Sequence, residues 1–435
     1  MTRAGVSEVA IRAFERNVGV LKSGAETQIS ESMIRPVESL PRLETLRNAG
    51  GDPRSLLEAA VVIKLNGGLG TGMGLQKVKS LLEVRDGLNF LDLTARQVLT
   101  LRERHGMPLR FLLMNSFATL ENTRDHMRRY PELGPAESLE FMQSQAPKLE
   151  AATLEPIMWP ADPTLEWCPP GHGDLYPSIL GSGRLDELLA AGVRYAFVSN
   201  SDNLGATLDL NLLAHFARTD APFLMEVTRR TAADRKGGHL AMDAATDGLL
   251  LRESAQCPDE DAEAFQDIDR HRYFNTNNLW INLEHLRRAL TEHGGYLPLA
   301  VIRNTKTVDP RDPGSPAVIQ LEVAMGAAIS CFEGATAVEV PRSRFAPVKT
   351  TSDLLTLRSD AYVVTDDHRL ELHPDRHGVP PEVRLDARHH KLVDQLEAAI
   401  ADGVPSLLHC DRLEVKGPFR FPAGAVYHGS VTLEG

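Results

Sequence analysis

Ala59-Ala-Val-Val-Ile-Lys-Leu65 runs directly into Asn66-Gly-Gly-Leu-Gly-Thr-Gly-Met-Gly74, an apolar β-rich run followed by a loop with glycines at 67, 68, 70, 72 and 74. Residues without side chains let backbone N–H groups approach a ligand closely and adopt φ > 0, which suits an anion held at a strand-to-helix turn. The loop is not a dinucleotide fingerprint, because no three glycines fall at i, i+2 and i+5. It is not a P-loop either, because no GK[ST] follows at the required offset. The same composition also serves a tight β-to-α connection. Lys77 and Lys79, just downstream, favour phosphate.

Further along the chain, β-rich runs alternate with helical patterns: Leu109 to Asn115, Leu139 to Gln143, Tyr195 to Ser199 and Phe223 to Thr228. Strands separated by amphipathic stretches predict a doubly wound α/β fold with a mixed, largely parallel sheet. Ligands of such sheets bind beyond the carboxyl ends of the strands, so the residues just after each run matter most. Two short β runs between Gly237 and Glu253 read as a hairpin, and the loop from Lys306 to Pro316 is dense in Pro, Gly and Asp.

Residues 1–58 read as an N-terminal helical extension. Val37, Leu40, Leu43 and Leu46 recur every third residue, with Pro36 and Pro41 as breaks. Residues 59–360 read as the central α/β domain and 361–435 as a C-terminal domain. In its last stretch Leu413, Phe419, Ala425 and Val431 are six apart, as are Val415, Phe421, Tyr427 and Leu433. A six-residue period of apolar and small residues marks a parallel β-helix, whose few coils must pack on the body or on another subunit. An ordinary meander can carry the same pattern by chance.

The chain has 435 residues, 42% of them apolar and 24% charged, the balance of a globular protein with a sizeable core. The net charge of −12 argues against general attraction to nucleic acid or anionic lipid. Any anion it binds needs a local site. Cys168, Cys257, Cys331 and Cys410 make no CxxC pair, so neither a disulfide framework nor a zinc ribbon is indicated. No export signal and no apolar run of about 18 residues is present, and a cytoplasmic protein is expected.

Asp202 follows the run Tyr195 to Ser199, and a lone carboxylate at a strand's carboxyl end suits Mg²⁺ held jointly with substrate phosphates; an Asp capping the next helix is the alternative. Pro169-Pro-Gly-His-Gly-Asp174 holds His172 between glycines, as for presentation to a ligand or simply to solvent. Asn275-Thr-Asn-Asn278 gathers amides suited to sugar hydroxyls or to an Asx-turn cluster. Pro347-Val-Lys-Thr-Thr-Ser-Asp353 sets Lys349 before a helix N-terminus, where an anion or plain solvent can meet it. Neither HExxH nor a hydrolase pairing of nucleophile and base is present.

Taken together, KLNGGLGTGMG, FLDLT, MNSF, EWCPPGHGD, VSNSDNLGATLD, EVTRRTAADRKGG, FNTNNLWINL, IQLE and PRSRFAPVKTTSDLL closely resemble the eukaryotic-type UTP:glucose-1-phosphate uridylyltransferases, from about Val61 to Asp360. The resemblance implies an α/β nucleotide-binding core with a C-terminal left-handed β-helix, and Mg²⁺-dependent transfer from UTP to glucose 1-phosphate. By the same resemblance Leu65, Asn66, Gly67 and Gly68 hold the nucleotide, with Asn200, Ser201 and Asp202 beside it. Gln143 and Gly171 meet the uracil, and Lys79 contacts the triphosphate. Asp202 binds the metal. His172, Asn200, Gly238, Glu253 and Asn277 hold the sugar, and Lys349 is the catalytic lysine, with Lys79 beside it. Asn275, Lys306 and Glu322 lie in matching motifs.

Two departures bear on the loops. Lys77-Val-Lys-Ser80 stands where the family reads GPKS, and the loop Asn304 to Pro316 is longer. They keep open the same chemistry on another sugar phosphate or nucleotide, and a non-catalytic nucleotide-sugar-binding protein. The absent fingerprint argues against a nicotinamide oxidoreductase. A homo-oligomer would use the β-helix tail.

Overall fold

A computed structural model describes residues 1–24, 27–46, 52–75, 78–231 and 234–435. Lys77 therefore lies outside the described residues. The N-terminal segment is less helical than its spacing suggests. It contains helices α1 (Glu8–Lys22) and α2 (Pro53–Glu58), but Ile34–Pro36 (β1) is an edge strand of the main sheet and Leu43–Leu46 is a single 3₁₀ turn. A three-residue repeat fits the 3₁₀ period better than the α period, and Pro36 and Pro41 leave no room for a longer helix.

The ten-stranded sheet comprises β1, β2 (Ala60–Asn66), β3 (Arg110–Asn115), β4 (Glu140–Met142), β5 (Tyr195–Asn200), β6 (Phe223–Arg229), β7 (His239–Asp243), β8 (Leu249–Arg252), β9 (Tyr273–Asn282) and β12 (Thr336–Glu339). β10 (Val301–Thr307) and β11 (Ala317–Val323) form a separate hairpin, so part of the Lys306 to Pro316 segment is strand. The order β4-β3-β2-β5 is parallel throughout, and β9 joins antiparallel to β5. β9 also pairs antiparallel with β6, which runs parallel to β12. β7 and β8 form the expected hairpin, with β1 on its outer edge.

Side-chain alternation sorts the two faces. Val61, Ile63 and Leu65 point into one core with Val198 and Ile179, whereas Ala60 and Val62 point into another with Phe197, Leu91 and Phe216. Every residue of β2 is buried, as a strand covered on both faces requires. The helix Phe90–His105 (α3) illustrates how local chemistry sets the boundaries. Asn89 and Asp92 form a capping box at its start, and Gly106 at φ 63° ends it.

At the C-terminus β13 (Glu382–Leu385), β14 (Ser406–Lys416) and β15 (Val426–Glu434) stack in parallel. Leu413 pairs with Val431 and Val415 with Leu433, partners three six-residue steps apart. This unit does not bury a core alone. Leu407, Leu413 and Phe421 share one cluster with Met73, Phe90, Leu93 and Leu204 of the body.

Candidate active site

The carboxyl ends of β2, β3, β4 and β5 open on one cavity of about 510 Å³. Leu65, Gly67, Gly68, Lys79, Gln143, Gly171, His172, Asn200, Ser201, Asp202 and Lys349 all line it. Asn66 does not. Its amide is buried, donating to Asn115 Oδ1 and Thr123 Oγ1 (both 2.8 Å) and accepting from Ser80. It thereby fastens the start of the glycine loop to the sheet.

The loop's far end is fastened as well: Lys79 N–H donates to Gly68 O at 3.1 Å. This bond folds the loop back on itself and aims the Lys79 side chain into the cavity, where its ammonium meets Asp202 Oδ2 at 2.5 Å. Both groups are mostly buried, at 16% and 18% exposure, so water screens the pair little. Asp202 is the one carboxylate among the described residues on the cavity wall. Among the described residues no group of three or more His, Cys, Asp or Glu is arranged to hold a metal alone. That donor set fits a hard divalent cation held jointly with substrate phosphates.

Gln143 and Gly171 form a shelf at one end. Gln143 Nε2 donates to Gly171 O at 2.9 Å, and a Cβ on Gly67 would lie 2.6 Å from Gln143 Oε1, so the amide packs flat against the loop. Gly171 sits at φ +84°, and a Cβ there would stand 2.5 Å from Val323 O and 2.8 Å from Val323 N. Backbone atoms cannot yield as a side-chain tip can. Gly171→Ala is therefore expected to cost about 1–3 kcal/mol in strain, read as a lower urea midpoint. A wild-type midpoint from this variant would contradict the close approach.

His172 Nδ1 accepts from Met325 N–H at 2.9 Å, which puts the ring proton on Nε2, and burial lowers its pKa to about 4. It is a neutral donor at physiological pH. Lys349 precedes helix α4 (Thr351–Arg358), whose cap Thr350 and N3 residue Asp353 form a capping box. Asp353 Oδ2 also accepts the Lys349 N–H at 2.9 Å. The backbone is fixed while the exposed ammonium makes no ion pair among the described residues.

Gly238, Glu253 and Asn277 do not line this cavity; Glu253 lies within electrostatic reach of Lys349, and Gly238 packs on Glu253. A Cβ on Gly238 would come within 2.5 Å of Glu253 Oε2. Burial raises the Glu253 pKa, and the Lys349 charge opposes the rise. Asn277 stands at φ 58° in a bulge of β9, where the register jumps from Glu226↔Asn278 to Val227↔Asn275. Asn275 Oδ1 accepts the Asn277 N–H at 2.9 Å, so the Asx turn is present and holds the Asn277 side chain outside the ladder. Glu322 lies behind Gly171, and Lys306, exposed on β10, does not line the cavity.

Sequence reading missed three parts of the foundation. Met73 and Met114 line the cavity. Arg344 and Glu226, both buried, form a two-pronged ion pair at 2.7 Å beneath the segment that carries Lys349. Lys64, only 2% exposed, donates to Ser199 Oγ (2.8 Å) and Ala206 O (2.7 Å), bracketing the loop that carries Asp202. A lysine inside an apolar strand was the available signal.

Burial, aided by the Arg344 charge and opposed by Asp202 and Glu226, pushes Lys64 down to about 7. The unfolded chain keeps that proton to about pH 10.4 and the folded chain releases it near 7. The unfolded state thus binds more protons between these values, and this group makes stability rise with pH across that window. Lys64→Met should flatten the rise by up to about 1.4 kcal/mol per pH unit, read from denaturant midpoints at pH 7 to 10. Parallel curves for variant and wild type would contradict it.

A glycine loop at the head of a parallel sheet, facing two lysines and a carboxylate, defines a nucleotidyltransferase-type site. The sequence model of the UTP–glucose-1-phosphate uridylyltransferase family matches residues 12–427, and the chain belongs to that family. Among curated relatives, a probable UTP–glucose-1-phosphate uridylyltransferase of Schizosaccharomyces pombe is 42% identical, covering 91% of this chain and 77% of that protein. The UTP–glucose-1-phosphate uridylyltransferase of Solanum tuberosum is 40% identical, covering 98% and 89%. A solved mutant of UDP-glucose pyrophosphorylase from Leishmania major, in complex with UDP-glucose, superposes with a TM-score of 0.94 at 52% identity, covering 100% of this chain and 93% of that one.

Proposed function

We propose that the protein transfers the uridylyl group of UTP to glucose 1-phosphate, giving UDP-glucose and pyrophosphate. The observation that carries this reading is the convergence of the glycine loop, Gln143, His172, Lys79, Asp202 and Lys349 on one cavity. We assign Leu65, Gly67 and Gly68, with the backbone beside Asn66, to the nucleotide, and Gln143 with Gly171 to the uracil. Lys79 goes to the triphosphate. His172, Asn200, Gly238, Glu253 and Asn277 go to the sugar. We also divide the chain into a 1–58 extension, a 59–360 catalytic domain and a 361–435 left-handed β-helix.

The second pKa of a phosphate monoester lies near 6, so the sugar phosphate is already a nucleophile at neutral pH and no general base is needed. The attacking oxygen approaches the α-phosphorus in line with the departing pyrophosphate. The barrier is bringing two polyanions together, and positioning plus charge stabilisation lowers it. Lys79 leaves Asp202 for the triphosphate, and Lys349, unpaired, meets the reacting phosphates. Asp202, together with the substrate phosphates, would hold a Mg²⁺ ion, which when bound would supply further charge neutralisation.

The test is pyrophosphate release with Mg²⁺, comparing UTP, TTP, GTP, ATP and CTP against several sugar 1-phosphates. Release confined to UTP with glucose 1-phosphate is the expected result. A different productive pair would keep the mechanism and overturn the substrate, and silence with every pair would favour a binding protein. The four free cysteines fit a cytoplasmic setting, and among the described residues no helix is long and apolar enough to cross a membrane. We assign any self-association to the outer edge of β15, which no other strand covers among the described residues.

A further inference from the structure

A second charged cluster lies behind the β7–β8 hairpin, outside the cavity. Arg252 is fully buried and donates to Glu31 Oε2 (2.7 Å) and Asp261 Oδ2 (2.9 Å). Glu31 also meets His271 Nε2 at 2.9 Å and Arg270 Nε at 2.7 Å, and its own N–H donates to Asp261 Oδ2 at 2.6 Å. His239, fully buried, stacks on His271 at 3.9 Å between centroids. Glu31 is thus one carboxylate serving three cationic or polar donors, and it belongs to the N-terminal segment whose strand β1 edges the hairpin.

The ladder pairs His239 with Arg252 at the hairpin's open end, and the next residues outward are Gly238 and Glu253. Successive side chains on a strand point to opposite faces. Arg252 is therefore drawn into the rear cluster while Glu253 turns forward toward Gly238 and Lys349. We propose that Glu31 is a positioning residue for the sugar-phosphate subsite, acting through Arg252 to set the place of Glu253. This rests on the assignment of Gly238 and Glu253 to the sugar.

Removing the Glu31 charge leaves the buried guanidinium with one counter-ion and loosens the end of the hairpin, and displacement of about 1 Å at a reacting site is costly. The nucleotide shelf is built from Gln143 and Gly171 on the other side of the cavity and does not depend on this tie. Glu31→Gln is accordingly expected to raise KM for glucose 1-phosphate about tenfold and to leave the UTP dissociation constant within twofold. A part that merely stabilised the fold would lower the melting temperature and the active fraction without separating the two substrates.

The experiment measures KM for glucose 1-phosphate and UTP affinity by titration calorimetry in Glu31→Gln, with Gly238→Ala as companion because its Cβ displaces the Glu253 carboxylate directly. Both variants impaired toward the sugar phosphate alone is the expected result. If Gly238→Ala is impaired and Glu31→Gln is not, the positioning role is overturned and the sugar assignment stands. If neither is impaired, the sugar assignment itself fails and the proposal with it. Should Glu31→Gln not fold, Glu31→Asp is read instead, since its shorter arm cannot reach all three donors. A raised sugar-phosphate KM then supports the role and an unchanged one overturns it.

Discussion

Lys349→Ala is expected to lower kcat by about 10²- to 10³-fold while UTP affinity stays within a few-fold of wild type. The asymmetry follows from how the two site lysines are held. Lys79 is folded in by its backbone bond to Gly68 and is already matched to Asp202, so its ammonium is fixed beside the glycine loop before any ligand arrives. Lys349 has only its backbone fixed, by Asp353, and its ammonium has no ion-pair partner among the described residues. Its charge is uncommitted until both phosphates are present. One unit pair at 4 Å and an effective dielectric near 20 is worth about 4 kcal/mol, and each 1.36 kcal/mol is tenfold in rate. Steady-state pyrophosphate release and a UTP titration decide the matter, and an unaltered kcat would remove Lys349 from the mechanism.

The parts of the site that sequence made legible are those in which local chemistry and topology coincide. An apolar run ending in glycine or asparagine announces a strand's carboxyl end, so Gly67, Gly68, Asn200 and Asp202 could be placed together before any coordinates, and the strand limits shift by only about one residue. His172 and Lys349 were legible for a similar reason, as each sits beside a turn or cap whose own signals are local. The burial of the Asn66 side chain is not legible, because its neighbours in the chain say loop. Its fate is decided by Asn115, Thr123 and Ser80, which reach it only after the sheet has formed. The place of Lys64 is hidden for the converse reason: an ammonium inside an apolar strand is tolerable only once Ser199 and Ala206 supply acceptors from another strand and its loop. The spacing of Val37 to Leu46 imitated a helix because periodicity cannot see that the neighbouring strand β7 offers an edge to Ile34–Pro36.

The same dependence on remote partners makes the Arg344–Glu226 pair the site where a single substitution should cost the most stability. Glu226 is wholly buried and accepts from Arg344, Trp280 and Asn278, while Arg344 also donates to Thr207 O at 2.8 Å. Arg344→Met leaves that carboxylate buried beside two neutral donors, and breaking a buried pair from one side costs about 3–5 kcal/mol. The loss should appear as a lower urea midpoint. It should also appear as lower kcat: without the guanidinium bonds residue 344 is no longer anchored to Glu226 and Thr207, and its carbonyl, which accepts from Asn203 Nδ2 and Asn278 Nδ2, passes any shift on through Asn203 Oδ1 to the Ala346 N–H, three residues before Lys349. Adding Glu226→Gln to Arg344→Met removes the stranded charge, since a neutral amide of the same size can still accept from Trp280 Nε1. Most of the stability should return, whereas kcat should not, because the arginine's steric and hydrogen-bonding support for the Lys349 segment is still missing. A double variant no more stable than Arg344→Met would mean that the uncompensated carboxylate is not the source of the loss.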